Sequence, residues 1–125
     1  MSIQFQFSTN PQTTSTHSEE RIAQLKEQQE GRRAELFGFV QEYREAYQAS
    51  QKACAKAQSI FLMQQRELAK HDENDKDYAK YEKEYKQAKK AFRSASSEQD
   101  LRLQLLQYRT DNYTKACRIN LIDLA

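Results

Sequence analysis

Few residues in this chain could do chemistry, and their spacing works against it. The only histidines are His17 and His71, and the only cysteines are Cys54 and Cys117. A metal site of the carboxylate-bundle kind needs Glu-x-x-His or His-x-x-x-His on one helix face, and neither pattern occurs. No histidine stands near either cysteine in sequence, so no thiolate with its own base is expected. The run Asp72, Glu73, Asn74, Asp75 has the acids of a calcium loop. It lacks the central glycine and the distal glutamate, which makes it a solvated turn. Two isolated glycines, Gly31 and Gly38, cannot build a phosphate-cradling loop. The expectation is a non-catalytic protein with no cofactor, no metal and no evident small-molecule substrate.

Charge offers one further possibility. Residues 78–98 hold six basic and three acidic side chains, and Lys80, Lys83, Lys86, Lys90 and Arg93 recur every three or four residues as a basic ridge. Such a ridge could meet phosphates while Tyr78, Tyr81 or Tyr85 stacks on a base, which is the alternative reading of this chain as a helical nucleic-acid binder. Glu82 and Glu84 dilute it, because Glu82–Lys86 and Lys80–Glu84 can pair along a helix. The formal net charge of only +2 gives no whole-chain attraction to nucleic acid.

The elements that must carry these residues are helices. Two glycines and one proline in 125 residues leave almost nothing to interrupt a helix or to build tight β turns. Residues 1–17 have no Asp, Glu, Lys or Arg and read as a flexible Ser/Thr/Gln-rich arm, in which Ile3, Phe5 and Phe7 alternate with Gln4 and Gln6. A single helical domain is expected over 18–125. Ser18 followed by Glu19 and Glu20 is a helix start, and the helix is expected over about 18–71. Its stripe runs Leu36, Val40, Tyr43, Tyr47, Ser50, Cys54, Ala57, Phe61, Gln64, Leu68, at helical spacing. Residues 72–77 are the turn. A second helix is expected over about 78–124, beginning Tyr78, Tyr81, Tyr85, Ala88, Phe92, Ala95 at 3-4 spacing. Past Ser96 the apolar residues suggest a change of phase, to Leu101, Leu105, Tyr108 and Asn112, so a break near 96 is expected as an alternative to one continuous helix.

A short connection makes the two helices antiparallel neighbours, with residue i opposite roughly 148 − i. The expected fold is all-α: an elongated antiparallel, coiled-coil-like hairpin, or a three- or four-helix bundle if the helices break near Gly31 or Ser96. A hairpin has one seam, yet three stretches carry more apolar residues than one seam can use. They are Leu36 to Val40, Ile60 to Met63, and Leu101 to Leu106. Each large side chain left in water forfeits roughly 1.5–3 kcal/mol. The surplus predicts association with a protein partner or with another copy through Phe37, Phe39, Ile60, Leu62, Met63, Leu103, Leu106, Leu121 and Ile122.

No run of strong hydrophobes exceeds four residues, Ile60 to Met63, against the roughly 20 that span a bilayer. Residues 1–16 lack the basic start and apolar block of a Sec-type signal, so a cytoplasmic setting is the default, with export by another route open. The uncharged Ser/Thr-rich start resembles the export signals of bacterial type III secretion substrates. A small helical rod of this kind is similar to the adaptors and chaperones of bacterial secretion machines. That similarity implies a helical interaction protein and assigns no individual residue.

Overall fold

The computed structural model describes residues 11–119, with side chains from Glu19 onward. Two helices account for them: α1, Pro11–Ala69, and α2, Tyr78–Arg118, and no strand occurs among the described residues. The two helices pack against each other, as the all-α hairpin reading requires. The chain's internal contacts gather into two compact units. One takes residues up to Gly38 together with those from Asp111 onward, and the other takes Phe39–Thr110.

α1 starts earlier than its first acidic turn suggests, so residues 11–17 of the expected arm are helical backbone. Pro11 stands at the first helical position, where its fixed φ suits the helix and its missing N–H has no partner to lose. Both expected break points lie inside continuous helix, Gly31 in α1 and Ser96 in α2. A helical glycine costs about 1 kcal/mol relative to Ala but does not end a helix. A Cβ added at Gly31 or Gly38 would meet nothing, so no close packing requires either glycine. α2 ends at Arg118 rather than near 124, and residues 120–125 lie outside the described part. Lys115 and Arg118 in its last turn suit the negative end of the helix dipole.

In the Phe39–Thr110 unit, every α1 residue of the expected stripe is buried or half-buried, from Val40 (2% exposed) through Ser50, Phe61 and Leu68 to His71 just beyond the helix. The spacing alternates four and three, which keeps one line of side chains on the partner helix. The Phe61 ring lies 5.5 Å from Tyr85 and 5.6 Å from Phe92, one on either side of buried Ala88. A large knob thus falls where the facing helix offers its smallest side chain, the pairing expected for Phe61 and Ala88.

On α2 the phase does not change. After Phe92 and Ala95 the half-buried line continues through Gln99, Arg102, Leu106 and Arg109 at the same 3-4 spacing. Leu101 and Tyr108 are left outside, 47% and 60% exposed. The expectation that the seam shifts to the leucines fails for a physical reason. Long polar side chains can cover a seam with their stems while their heads reach water. Arg102 does so and turns its guanidinium to Glu98 at 2.7 Å. Tyr43 accordingly meets Arg109, one turn beyond the expected Leu105.

The turn is built by its aspartates. The Asp72 and Asp75 carboxylates each accept from the backbone N–H two residues on, Asn74 and Asp77. The Asp77 carbonyl accepts from the N–H of Lys80 and Tyr81, opening α2. His71 stacks on Tyr81 at 4.1 Å and shares a 2.7 Å hydrogen bond with Asp75. The bond to His71 is the main reason the Asp75 carboxyl is held below its ordinary value, with the Asp77 N–H helping. A carboxyl with a depressed folded pKa contributes stability that is complete above its unfolded value, about 4, and is lost as pH falls through the lower folded value. The Asp75→Asn variant is therefore expected to melt below wild type above about pH 5, with the gap narrowing as pH falls below about 4 toward 2, read by far-UV circular dichroism. A gap that stays constant across that range would remove the pairing from the turn.

Candidate functional site

Of the five large hydrophobes exposed in the Phe39–Thr110 unit, four, Ile60, Met63, Leu101 and Tyr108, lie on one flank of the seam. Its geometry is fixed by Arg109. This residue stands at a seam position of α2, and its guanidinium lies 4.5 Å from the Phe39 ring, 4.9 Å from Tyr43 and 5.9 Å from Tyr108. The cation meets the negative ring faces, which stabilises it without a carboxylate. Its one hydrogen bond among the described residues is long, 3.4 Å to the Tyr43 hydroxyl oxygen. Phe39 of α1 and Tyr108 of α2 therefore share one side of the seam. Heptad spacing puts Ala46, Ala53 and Ile60 on the line of Phe39, with Ala49 and Met63 beside them, and puts Leu101 on the line of Tyr108 with Leu105 between. Ile60 and Met63 are 42% and 46% exposed.

The expected contact residues divide by position. Ile60 and Met63 lie on this flank, and Leu62, 40% exposed, lies off it. Phe39 is half-buried under Arg109. Leu103 is half-buried beside the seam, and Leu106 occupies the seam itself. Leu121 and Ile122 fall outside the described residues. Sequence reasoning missed Leu101 and Tyr108 as outward residues because it assigned both to the seam. The uninterrupted 3-4 count from Tyr78 was the signal that would have placed them.

The basic ridge lies elsewhere on α2. Lys80, Lys83, Lys86, Lys90 and Arg93 are all exposed, and Lys86 pairs with Glu82 at 3.6 Å. Lys83, Lys86 and Lys90 border a shallow open depression with Ala79, Glu82 and Gln87. The tyrosines that could have stacked on bases, Tyr78, Tyr81 and Tyr85, are half-buried in the seam.

The other unit is described by itself. Phe37, 41% exposed, packs its ring 5.3 Å from Tyr113. Arg33 donates from Nε to the Ala116 carbonyl at 3.2 Å, and from one terminal nitrogen to the Cys117 and Ile119 carbonyls at 3.0 Å each. The last carbonyls of a helix have no partner within it, so one guanidinium closes an end that would otherwise fray. A hydrogen bond with Cys117 is the main cause of a raised Tyr113 hydroxyl, and nearby Arg33 works against it. Cys54 and Cys117 are both free, Cys54 half-buried in the seam and Cys117 exposed.

Among the described residues no three His, Cys, Asp or Glu side chains gather where they could hold a metal ion, and no helix is long and apolar enough to cross a membrane. No protein-family model, no curated protein and no solved structure matches the chain.

The Arg33 clamp gives a direct expectation. Arg33→Ala should speed amide hydrogen exchange over residues 113–119 by roughly ten- to hundredfold while leaving 85–105 unchanged. Loss of charge-assisted bonds to three carbonyls is worth about 1.5–3 kcal/mol when one bond dominates. Arg33→Lys should restore little, since an ammonium cannot fork across three acceptors. Unchanged protection in the alanine variant would show that α2 ends without this clamp.

Proposed function

We propose that this chain is a non-catalytic helix-docking module, a small helical adaptor or chaperone-like protein that binds through apolar surface beside its own seam. The observation that carries the reading is the exposure of Ile60, Met63, Leu101 and Tyr108 on or beside one stretch of two helices. Among the described residues, which form two helices, no third helix covers them. Helix-on-helix burial against a partner returns roughly 1.5–3 kcal/mol for each large side chain that becomes fully covered. The likeness to adaptors and chaperones of bacterial secretion machines belongs to this proposal and rests on shape class and composition.

Nucleic-acid binding through Lys80, Lys83, Lys86, Lys90 and Arg93 is the competing reading. The seam position of the three tyrosines counts against it, because a binder of single strands uses aromatic faces that bases can reach.

A photo-crosslinking side chain placed at Leu101, and separately at Lys90, separates the two. Docking predicts protein adducts from position 101 that persist in high salt, and none from position 90. Adducts from position 90 alone, lost as salt rises, would favour nucleic acid and end the docking proposal.

A further inference from the structure

The side of the seam away from Phe39 and Tyr108 carries a second surface, and we propose that it binds the anionic face of a lipid bilayer. This goes beyond the docking reading and uses other side chains. With Phe61 set over Ala88, residues 51–66 of α1 lie beside 83–97 of α2, a stretch about 24 Å long at 1.5 Å per residue. That stretch holds eight basic residues and one acid, Glu84. Heptad geometry about the seam sorts them. Lys86, Lys89 and Arg93 face the second side directly. Lys83 and Lys90 line the outer edge of α2, and Lys52 and Arg66 line that of α1, with stems long enough to bring their heads to the same side. Only Lys56 and Glu84 fall on the Phe39 side.

A solvated helix face mixes signs so that neighbours three or four residues apart attract. Here Lys83–Lys86, Lys86–Lys89, Lys86–Lys90, Lys89–Arg93 and Lys90–Arg93 are all like-charged neighbours at that spacing. Among the described residues, Lys86 alone of the seven has a carboxylate, Glu82 at 3.6 Å, and Lys89 lies 6.0 Å from the Tyr85 ring centre. The remaining charge is uncompensated, and a negative partner relieves it. Glu82 and Asp100 bound the patch at its two ends. α1 adds Gln51, Gln58 and Gln65, all exposed, whose amides donate to headgroup oxygens. Leu62 stands among them, 40% exposed. A nucleic-acid backbone would leave that side chain in water. A bilayer interface buries it while the lysine and arginine heads stay with the headgroups. Two helices side by side also give a contact about 20 Å wide, suited to a broad surface.

Vesicle sedimentation of the full chain at about 0.1 M salt tests the proposal, with circular dichroism on every variant. The protein should pellet with phosphatidylcholine vesicles that contain about 30 mol% phosphatidylserine, and stay in solution with phosphatidylcholine alone. Each basic residue at an anionic surface contributes about fivefold in partitioning, so joint replacement of Lys86, Lys89 and Arg93 by Gln should lose roughly a hundredfold. If that variant loses helicity, Lys83→Gln with Lys90→Gln carries the same test, with roughly a tenfold loss expected. Leu62→Gln should weaken partitioning about threefold, while Ile60→Gln and Lys56→Gln, on the other side, should change it less than about twofold. Equal pelleting with both vesicle types, or with neither, overturns the proposal, as does partitioning that ignores the loss of the basic residues. Binding that ignores Leu62→Gln, with the protein displaced by a phosphate-matched DNA duplex, overturns it in favour of nucleic acid. A bilayer yields no protein adduct from position 90, so the docking proposal stands or falls separately on its own crosslinks.

Discussion

In the Phe39–Thr110 unit, one seam shared by the two helices decides which side chains are covered and which stay in water. A seam between two cylinders has no interior, so even its own members stay half in water. Among the described residues, only Leu25, Leu36, Val40 and Ala88 of the hydrophobes reach burial, and no large side chain is fully enclosed. Specificity must then come from where large meets small. Phe61 set over Ala88 between Tyr85 and Phe92 is such a point, and it holds α1 and α2 in one pairing within its unit. The ends need separate devices because a single seam cannot hold them. Aspartate side chains and the His71–Tyr81 stack shape the turn, and the Arg33 guanidinium closes the last carbonyls of α2.

The same constraint produces the candidate site. Some apolar residues beside the seam stay largely exposed among the described residues. Leu101 and Tyr108 are such residues, and Arg109 shows how the chain tolerates a charge beside them. The guanidinium lies on aromatic rings rather than on an acid. That leaves a cation, Leu101 and an exposed tyrosine on one side of the seam.

Much of this was legible in the sequence. The scarcity of glycine and proline gave the helices, the acidic run at 72–77 gave the turn, and the stripe from Leu36 to Leu68 gave the buried face of α1 residue by residue. Two features were not legible from hydrophobicity. The start of α1 at Pro11 depends on backbone geometry at the first turn, which composition does not report. The course of the α2 seam past Ser96 was hidden because Gln99, Arg102 and Arg109 occupy it while leucines stand beside it. A count of apolar residues follows the leucines. A count of threes and fours from Tyr78 follows the seam, and there the period was the better guide.

The course of that seam decides which side chains are free to bind, so its direct measurement carries the account. In a background with Cys54 and Cys117 replaced by serine, a single cysteine is placed at Leu101 or at Leu106 and labelled with a thiol reagent in the folded protein. In dilute solution of the isolated protein, the account predicts that position 101 reacts nearly as fast as in the unfolded chain and that position 106 is slowed at least tenfold. Protection at 101 with free reaction at 106 would place the leucines in the seam and contradict it.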